Sequence, residues 1–329
     1  MSGDSIFKSE GALIAWIRRR TPRHPAGLAL GIGDDAALVR ASAGHELILT
    51  TDLSLEGVHF TATHHPPDAV GHRALARSLS DIAAMGGTPR FVLISLAISR
   101  RTGRAWLEGF FKGLFRLARR FDVAVIGGDT AVVSGATAID VMVMGEVPRG
   151  RALLRSGAKA GDRIFTTGRL GMSALGLRLL MSRAQIRMPF ERAALRAHLF
   201  PEPQCAVGQF LSDHRLATAM MDISDGISID LRRLCAASGV GATLFASRVP
   251  APPILDADDA LELALHGGED YQLLLTVAAT ESAKLPQRVG RIPLTCIGEI
   301  CTRRGIRIVG ANGKAEILEP LGYDHFARP

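Results

Sequence analysis

Carboxylates that follow apolar stretches and stand beside glycine or threonine are the residues of this sequence best suited to chemistry. Two adjacent carboxylates repel each other unless a cation or a proton lies nearby, and glycine lets a ligand approach the backbone closely. One such acidic turn is ordinary, but five of them suggest that one site collects them. The five segments are Gly31-Ile-Gly-Asp-Asp35, Thr50-Thr-Asp52, Gly127-Gly-Asp129, Asp222-Ile-Ser-Asp-Gly226 and Gly267-Gly-Glu-Asp270.

Two acidic positions of the N-terminal half indicate a cation because of where the sequence places them. Asp81 lies beside the apolar stripe of a predicted helix, where a carboxylate costs free energy unless it is paired or coordinated. A salt bridge to Arg77 or to another arginine is the alternative interpretation. Asp52 follows two threonines at the predicted end of a strand, and this segment offers side-chain and backbone oxygens as hard ligands.

Two of the glycine-containing segments each allow two interpretations. Asp222 and Asp225 suit a shared cation at a strand-to-helix turn, but Ser224 or Asp225 could instead be the helix N-cap, which is the commoner use of such residues. Asp129 follows two glycines whose bare N–H groups can approach a phosphate, or it simply belongs to a hairpin turn. Oxygen ligands without histidine or cysteine partners favour Mg²⁺ over zinc.

The familiar motifs of phosphate transfer do not occur in the sequence. It contains no G-x-x-x-x-G-K-[ST] P-loop and no kinase H-R-D or D-F-G motif. Phosphoryl transfer by this chain would therefore require another architecture. His59 follows the acidic segment 50–52 closely, and it either contacts a ligand or has a structural role.

Length and composition limit the class of protein. A chain of 329 residues favours two domains, and 47% hydrophobic with 22% charged residues is typical of a soluble globular protein. No apolar run approaches the roughly 20 residues that a membrane helix needs, and the N-terminus is unlike a secretory signal. The four cysteines have no CxxC spacing. Together these features predict a cytoplasmic protein with reduced thiols and no membrane partner.

The net charge of +7 raises the question of nucleic acid. The arginines, however, fall in short groups at the ends of predicted helices, where cations complement the helix dipole. With only two Trp and two Tyr, platforms for stacking bases are scarce. We therefore expect no nucleic-acid partner, and a basic balance around an acidic pocket suits anionic substrates.

Apolar periodicity predicts strands and helices in both halves of the chain, and so an α/β fold with mixed, α+β-type sheets. Residues 148–161 break this pattern and mark the domain boundary. The predicted helices are 7–20, 66–85, 103–121, 171–182, 190–199, 204–214, 227–238 and 256–265. The predicted strands are 46–50, 90–98, 123–126, 138–145, 162–167, 217–222, 241–246, 271–277, 295–300 and 306–309.

Eight motifs in a fixed order carry a resemblance that covers nearly the whole chain. The sequence closely resembles the thiamine-monophosphate kinases, within the aminoimidazole ribonucleotide synthetase-like ATP-binding superfamily. The motifs are Gly31-Ile-Gly-Asp-Asp35, Thr51-Asp52 with Glu56-Gly-Val-His-Phe60, Leu79-Ser-Asp-Ile-Ala-Ala-Met-Gly86, Gly127-Gly-Asp-Thr130, Arg155-Ser-Gly-Ala-Lys-Ala-Gly-Asp162, Asp222-Ile-Ser-Asp-Gly226, Gly267-Gly-Glu-Asp-Tyr271 and Gly322-Tyr-Asp-His-Phe326.

The resemblance implies a fold and an activity. It implies ATP-dependent phosphorylation of thiamine monophosphate to thiamine diphosphate, with several Mg²⁺ ions and no covalent nucleophile. Residues 1–149 would form an N-terminal domain for ATP and Mg²⁺ binding and for pairing in a homodimer. Residues 150–329 would form a C-terminal α/β domain that closes the active site.

The resemblance also implies a role for individual residues. The implied metal ligands are Asp35, Thr50, Thr51, Asp52, Asp81, Asp129, Asp222 and Asp225. The implied ATP contacts are Gly128, Asp129, Arg155 and Ser224, and the implied substrate contacts are His59, Glu269 and Tyr323. Thr50 stands where some members carry serine, and residues 53–55 (Leu-Ser-Leu) replace a more usual Thr-Leu-Val, which leaves the contacts of that loop open.

Three other functions compete with this expectation. Selenophosphate synthetases, of the same superfamily, use a reactive cysteine or selenocysteine near the N-terminus, whereas the first cysteine here is Cys205. Aminoimidazole ribonucleotide synthetase itself fits residues 322–326 poorly. A non-catalytic regulatory protein that binds ATP or cations would keep the fold, but the acidic set is complete.

Overall fold

The computed structural model describes residues 9–21, 25–183, 185–254, 256–310 and 312–323. The chain divides into two compact units, with the main division between Arg149 and Gly150. The short segment Ala83–Gly87 groups with the second unit, whereas the sequence assigns it to the first domain. No helix in the described ranges is both long and apolar enough to cross a bilayer.

The first unit is built on a four-stranded mixed sheet. Strand order is β3-β6-β4-β5, with antiparallel pairing except between β4 and β5, and β1 and β2 form a separate antiparallel pair. Its elements in chain order are α1 (Glu10–Arg18), β1 (Leu28–Leu30), β2 (Leu38–Val39), β3 (His45–Leu55), α2 (Pro67–Ala84), β4 (Thr88–Ser99), α3 (Arg104–Arg120), β5 (Ala124–Val133) and β6 (Ala138–Pro148).

The two faces of this sheet differ in what they contact. Thr50 and Asp52 of β3 hydrogen-bond to side chains of α2, so the even-numbered positions of this strand face the helix. The alternating positions Leu47, Leu49 and Leu53 lie on the other face, where their side chains are 45%, 59% and 49% exposed. Large apolar side chains exposed side by side on one face are unusual for a monomer.

The second unit is built on an eight-stranded sheet. Strand order is β14-β13-β9-β12-β7-β10-β8, β11 pairs with β12, and only β13 and β9 pair in parallel. Its elements are β7 (Arg163–Thr167), α4 (Met172–Ser182), α5 (Pro189–Leu199), α6 (Cys205–Asp213), β8 (Ala219–Ile223), α7 (Ile227–Ser238), β9 (Gly241–Phe245), a 3-10 turn (Ala246–Arg248), α8 (Ala257–His266), β10 (Gln272–Val277), a 3-10 turn (Ser282–Lys284), β11 (Arg288–Val289), β12 (Ile292–Cys301), β13 (Gly305–Val309) and β14 (Ala315–Ile317).

The core of this unit fixes the turns that carry the acidic motifs. Ile223 at the end of β8 and Ile227 and Leu231 of α7 are completely buried in one apolar cluster. Burial of such side chains stabilises the fold by about 1.5–3 kcal/mol each, so the connection between β8 and α7 is held at both ends. The α/β class with mixed sheets, predicted from the sequence, is confirmed.

Strands β3 and β5 extend furthest beyond their predicted ends, which changes the setting of two motifs. β3 continues to Leu55 because it stays paired with β6 over its whole length, so Thr50–Asp52 lies inside a strand and not after one. β5 continues to Val133, and its pairing with β4 shifts by one residue between Val92 and Leu93. Gly127 and Gly128 follow this shift, so the hairpin predicted as an alternative for Asp129 does not form.

Candidate active site

A groove of about 880 Å³ in the first unit brings two of the acidic motifs together. Its wall combines segment 31–37 with segment 125–130, so Asp35, Gly128 and Asp129 share one cavity. Apolar side chains line it as well, namely Ile14, Ile17, Val39, Leu93, Leu96, Phe111, Val125, Ile126 and Met144. The groove can therefore accept a ligand that has both an apolar ring and an anionic group.

The segment that carries Asp34 and Asp35 connects β1 to β2. Leu28 and Val39, from these two strands, pack against the buried cluster that includes Phe91. The backbone N–H of Asp35 donates to Oδ1 of Asp34 over 2.9 Å, and both residues are exposed. The turn therefore presents two carboxylates to solvent on a buried apolar base.

Gly128 has a conformation that only glycine adopts easily. Its φ angle is 144°, and a Cβ atom at this position would collide with the carbonyl oxygen of Ile94 on β4. The next residue, Asp129, accepts a hydrogen bond of 2.8 Å from the N–H of Thr130. The glycine therefore allows β5 to approach β4 closely beside the exposed Asp129 carboxylate.

A row of polar residues crosses the sheet at Asp129. Ser95 of β4 is the register partner of Asp129 and also of Asp140 on β6, so the three side chains lie on one face. The hydroxyl of Thr51 donates to Oδ1 of Asp140 over 2.5 Å. Asp140 was not singled out in the sequence, although an aspartate between Ile139 and Val141 of a predicted strand was the available signal.

Three predicted metal ligands meet between β3 and α2. The hydroxyl of Thr50 donates to Oδ2 of Asp81 over 2.5 Å. Arg77 donates to Oδ1 of Asp52 from Nε and Nη2, over 3.2 and 2.9 Å, so the arginine forms its salt bridge with Asp52. Thr51 points to the opposite face of the sheet, because it lies between Thr50 and Asp52 in a regular strand.

Alternation along β3 therefore divides the predicted ligands of this strand between the two faces of the sheet. A strand that ended before Thr51 could have turned the side chains of residues 50–52 toward one ion. Inside a strand, the side chain of Thr51 lies on the opposite face of the sheet from the side chains of Thr50 and Asp52. The side chains of Thr50 and Asp52 remain on one side with Asp81.

The turn after β8 is held by a carboxylate that the sequence did not indicate. Asp230 of α7 is completely buried, and its Oδ2 accepts the N–H groups of Ser224 and Asp225 over 3.0 Å each. Arg233 donates to Asp225 over 2.5 Å and to Asp230 over 2.8 Å. Gly226 occupies the N-cap position without a side-chain cap, so neither Ser224 nor Asp225 is the N-cap of α7.

The other two motifs of the second unit contact this same turn. The N–H of Glu269 donates to the carbonyl oxygen of Ser224 over 2.7 Å, and the N–H of Tyr323 donates to that of Asp225 over 3.1 Å. The structure therefore brings together Ser224, Asp225, Glu269 and Tyr323. Asp222 lies just before, on β8, with only 4% of its surface exposed. Residues 324–326 of the last motif lie outside the described ranges.

Burial perturbs the two carboxyl groups that support these turns. Asp270 accepts hydrogen bonds from the N–H groups of Gly171 and Ser173 at the start of α4. Burial raises the pKa of Asp270 to about 7, although these two hydrogen bonds act to lower it. Burial likewise raises the pKa of Asp230 to about 6, although the two N–H donors and Arg233 oppose it. Both groups act on the backbone beside predicted site residues and not on a ligand.

The backbone around Asp270 is strained, which is common where a site is held in a defined geometry. Glu269 and Tyr271 have φ angles of 65° and 49°, and such left-handed conformations persist in non-glycine residues only when the surroundings enforce them. The buried His198 lies 3.9 Å from Oε2 of Glu269 and 3.1 Å from the Ser173 hydroxyl. His198 is a further residue of this site that the sequence did not reveal.

The two remaining predicted residues lie in irregular segments. Nδ1 of His59 accepts the N–H of Leu55 over 3.0 Å, which fixes the ring at the bend after β3. Arg155 is exposed in the second unit, and its carbonyl oxygen accepts the Ser238 hydroxyl over 3.0 Å. Arg155 thus presents its guanidinium to solvent from an anchored backbone.

The oxygen donors of the predicted ligands suit Mg²⁺. Across the described ranges, no three side chains of His, Cys, Asp or Glu come together as a metal centre. Mg²⁺ is usually held by one or two carboxylates together with waters and substrate phosphates, and not by a complete protein cage. Carboxylate pairs and threonine hydroxyls of the kind seen here fit that chemistry.

Both units match one class of known proteins. The family described as AIR synthase related protein, N-terminal domain, matches residues 33–147. AIR synthase related protein, C-terminal domain, matches residues 159–310. The chain is therefore an AIR synthase-related protein that carries both domains.

Similarity over nearly the full length narrows this class. The chain is 38% identical to the thiamine-monophosphate kinase of Escherichia coli (strain K12), over 97% of this chain and 99% of that protein. The crystal structure of thiamine-monophosphate kinase from Stenotrophomonas maltophilia K279a matches with a TM-score of 0.82 at 36% identity, over 94% and 98% of the two chains. The structure of AaThiL complexed with AMPPCP and TMP matches with a TM-score of 0.77 at 31% sequence identity, over 96% of this chain and 97% of that chain. The chain belongs to the thiamine-monophosphate kinase family.

Proposed function

We propose that this protein is an ATP-dependent kinase that phosphorylates thiamine monophosphate to thiamine diphosphate. The observation that carries the proposal is the 880 Å³ groove, in which the Gly-Asp-Asp and Gly-Gly-Asp motifs meet apolar side chains. Family membership and a structural relative solved with AMPPCP and TMP support ATP and thiamine monophosphate as the substrates.

The groove offers a nucleotide two kinds of contact. Ile14, Ile17 and Phe111 give apolar surface for the adenine ring. Gly128 lines the groove where the phosphates would lie, and Asp35 and Asp129 supply carboxylates for the accompanying cations. The phosphates would therefore be held through cations on carboxylates, whereas a P-loop holds them with backbone N–H groups.

Transfer to a phosphate monoester is opposed mainly by charge. The second pKa of such a monoester is about 6, so the acceptor is already ionised at neutral pH and needs little help from a base. Two unit charges 4 Å apart repel by about 4 kcal/mol at an effective dielectric constant of 20, and several such pairs occur between acceptor and triphosphate. Several Mg²⁺ ions on the phosphoryl oxygens would supply the compensating charge.

The remaining residues receive roles by their match to family motifs. Thr50, Thr51, Asp52, Asp81, Asp222 and Asp225 would hold cations, directly or through water. Arg155 and Ser224 would contact ATP, and His59, Glu269 and Tyr323 would contact thiamine monophosphate. The contacts of Glu269 and Tyr323 with the turn that carries Ser224 support a common role for these three residues.

The proposal is tested by measuring ADP release from ATP and Mg²⁺ with and without thiamine monophosphate, with identification of the phosphorylated product. We expect release to depend on thiamine monophosphate and to yield thiamine diphosphate. ATP binding without any stimulation of ADP release would favour the alternative of a regulatory ATP-binding protein.

We further propose direct in-line transfer, because the described residues of the site offer many carboxylates and we identify no activated nucleophile among them. Transfer from ATP with a chiral γ-phosphorus should proceed with net inversion. Net retention, or a phosphorylated side chain trapped during turnover, would contradict direct transfer.

We also propose that the protein is a homodimer, paired through the exposed leucine face of the first unit. Leu47, Leu49 and Leu53 lie on β3, at the sheet edge opposite to β5 and the groove. Pairing two such faces would remove their apolar side chains from water.

The four free cysteines are in keeping with a reducing, cytoplasmic location.

A further inference from the structure

The geometry points to Asp230 as the positioning residue for the turn that carries Ser224 and Asp225, with Arg233 as its counter-ion. This inference rests on the proposed function, in which Ser224 contacts ATP and Asp225 holds a cation. Asp230 itself touches neither ligand in this account. It acts by fixing the backbone and the side chain that do.

Asp230 binds both N–H groups of the turn with a single oxygen. Oδ2 accepts from Ser224 and from Asp225, over 3.0 Å in each case. The carboxylate is completely buried, so no water competes for these donors. Hydrogen bonds to a charged acceptor are stronger than those between neutral groups, and loss of the Asp230 carboxylate would remove the acceptor of both backbone N–H groups.

The second oxygen of Asp230 orients the side chain of Asp225 through Arg233. Nη1 of Arg233 lies 2.8 Å from Oδ1 of Asp230 and 2.5 Å from Oδ2 of Asp225. The arginine therefore bridges a buried carboxylate and a partly exposed one. Because Asp230 anchors one end of this bridge, it sets where the Asp225 carboxylate stands.

The carbonyl groups of Ser224 and Asp225 connect this turn to the predicted substrate contacts. Ser224 accepts the N–H of Glu269, and Asp225 accepts the N–H of Tyr323. The N–H side of the turn is thus held by Asp230, while the carbonyl side holds the two predicted substrate contacts. Movement of the turn would displace all four residues together.

Two substitutions separate the two contributions of Asp230. Asp230→Asn keeps an oxygen for the N–H groups but turns an amide NH₂ toward Arg233, so it breaks the bridge to Asp225. Asp230→Ala removes both contacts. Substitution of a residue that hydrogen-bonds to a metal ligand typically lowers metal affinity or activity by about 10–100-fold. We expect the loss in Asp230→Ala to lie in that range and the loss in Asp230→Asn to be smaller.

Asp256 provides a matched control in the same unit. It accepts the N–H groups of Asp258 and Asp259 over 3.0 Å each, as the N-cap of α8. Asp256→Ala therefore also removes a carboxylate that holds two backbone amides. It should lower the melting temperature through loss of the helix cap and leave the Mg²⁺ dependence of turnover unchanged.

Three measurements on the full chain test the inference. The Mg²⁺ concentration for half-maximal activity should rise about 10–100-fold in Asp230→Ala. Binding of Mn²⁺ with AMPPCP, followed by electron paramagnetic resonance, should weaken in parallel without any turnover. Hydrogen exchange of a peptide spanning 222–226 should become faster in the ligand-free variant, whereas peptides from β9 and β12 should keep their protection.

The outcomes distinguish a positioning role from a structural one. Uniformly faster exchange throughout the second unit would mean that Asp230 supports the fold alone, and the inference would be overturned. Unchanged Mn²⁺ binding in Asp230→Ala, or an equal loss in Asp256→Ala, would overturn it as well. If the wild-type protein lacked kinase activity, the proposed function would fail, and the Mn²⁺ and exchange measurements would still decide the role of Asp230.

Discussion

Individual carboxylates of this protein are held in different ways, and the differences predict which of them can take a cation. Asp81 accepts a hydrogen bond from the hydroxyl of Thr50, and Asp52 and Asp225 form ion pairs with arginines. A cation that binds Asp52 or Asp225 must share the carboxylate with a guanidinium group. Asp81 is a predicted metal ligand on α2 whose side chain meets that of Thr50, so its substitution tests the metal assignment at the residue scale.

We predict that Asp81→Asn lowers kcat by a factor on the order of 10²–10³, the range seen when one electrostatic contact to a reacting group is removed. The amide oxygen can still accept the hydrogen bond from Thr50, so the fold should remain intact. Turnover at saturating ATP and thiamine monophosphate, with circular dichroism on the same samples, measures both effects.

Asp68→Asn is the matched control, because Asp68 lies on the same helix and forms an exposed ion pair with Arg116. Exposed pairs of this kind contribute little to stability, so activity and fold should be unchanged. Wild-type turnover in Asp81→Asn at limiting Mg²⁺ would remove Asp81 from the site.

Asp270 gives a prediction about the pH dependence of stability. Its pKa is raised by burial from 3.8 to about 7, so the folded protein retains this proton more firmly than the unfolded chain. The contribution to the free energy of unfolding is complete below pH 4 and is lost as pH rises through 7. The slope is at most about 1.4 kcal/mol per pH unit for one proton.

Asp270→Asn removes this titration but leaves the neighbouring Glu269 in place. The stability of wild type relative to the variant should therefore fall as pH rises from 5 to 7 and level off above pH 7, as measured by thermal unfolding from pH 5 to pH 8. The raised pKa of Asp230 affects both proteins equally and cancels. Two curves that stay parallel over the whole range would mean that Asp270 is ionised throughout.

At the scale of elements, the sequence predicts helices better than strand ends. The helices α2 and α3 lie within one or two residues of their predicted limits because their apolar period is continuous. Strand β5 was predicted to end before Gly127, since two glycines and an aspartate usually form a turn. The register shift beside Val92 lets the strand continue, and such a shift depends on the partner strand and not on local sequence.

Gly128→Ala should damage both β5 and the groove. The added methyl group would collide with the Ile94 carbonyl, and the φ angle of 144° is unfavourable for alanine. We expect the melting temperature to fall by several degrees and the Kd for ATP to rise, both measurable by thermal shift with increasing ATP. Gly135→Ala, where nothing lies within 4 Å of the new Cβ atom, is the control and should behave as wild type. If both variants bind ATP equally well, close approach at Gly128 is not required for the groove.

The exposed face of β3 makes a prediction about assembly. Leu49→Glu places a charge on a side chain that is 59% exposed and should leave the fold intact. Burial of that charge in an interface would be costly, so the variant should sediment as a monomer where wild type sediments as a dimer. Met181→Glu, at a 49% exposed position of α4 in the second unit, is the control for surface charge. A Leu49→Glu protein that remains fully dimeric would exclude this face as the interface.

For the molecule as a whole, no local pattern indicates which distant residues share a site. The motifs alone predict acidic turns, and only the structure adds that Asp35 and Asp129 share a groove or that Ser224 meets Glu269 and Tyr323. Asp230 stands between Ile229 and Leu231 of a predicted helix, the same signal that singled out Asp81, and it was overlooked because it lies outside the five acidic segments. His198 was missed because a histidine in a predicted helix does not by itself indicate a site. Roles for the two units came from the family resemblance, which depends on the order of eight motifs along the chain.

The proposed function assigns ligand contacts to residues of each unit, and hydrogen exchange can test both assignments in the intact protein. Binding of AMPPCP with Mg²⁺ should slow exchange in peptides spanning 31–35 and 125–130, because these segments line the groove. It should also slow exchange at 222–226, since Ser224 and Asp225 are assigned to the nucleotide and its cation. Addition of thiamine monophosphate should extend protection to 267–271, whose backbone is already tied to Ser224. Peptides from β13 and β14 serve as an internal reference and should not change. Protection confined to the first unit would contradict a role for Asp222 and Asp225 in binding. The proposed mechanism would then lack the cations that these two carboxylates are expected to hold between the phosphate groups.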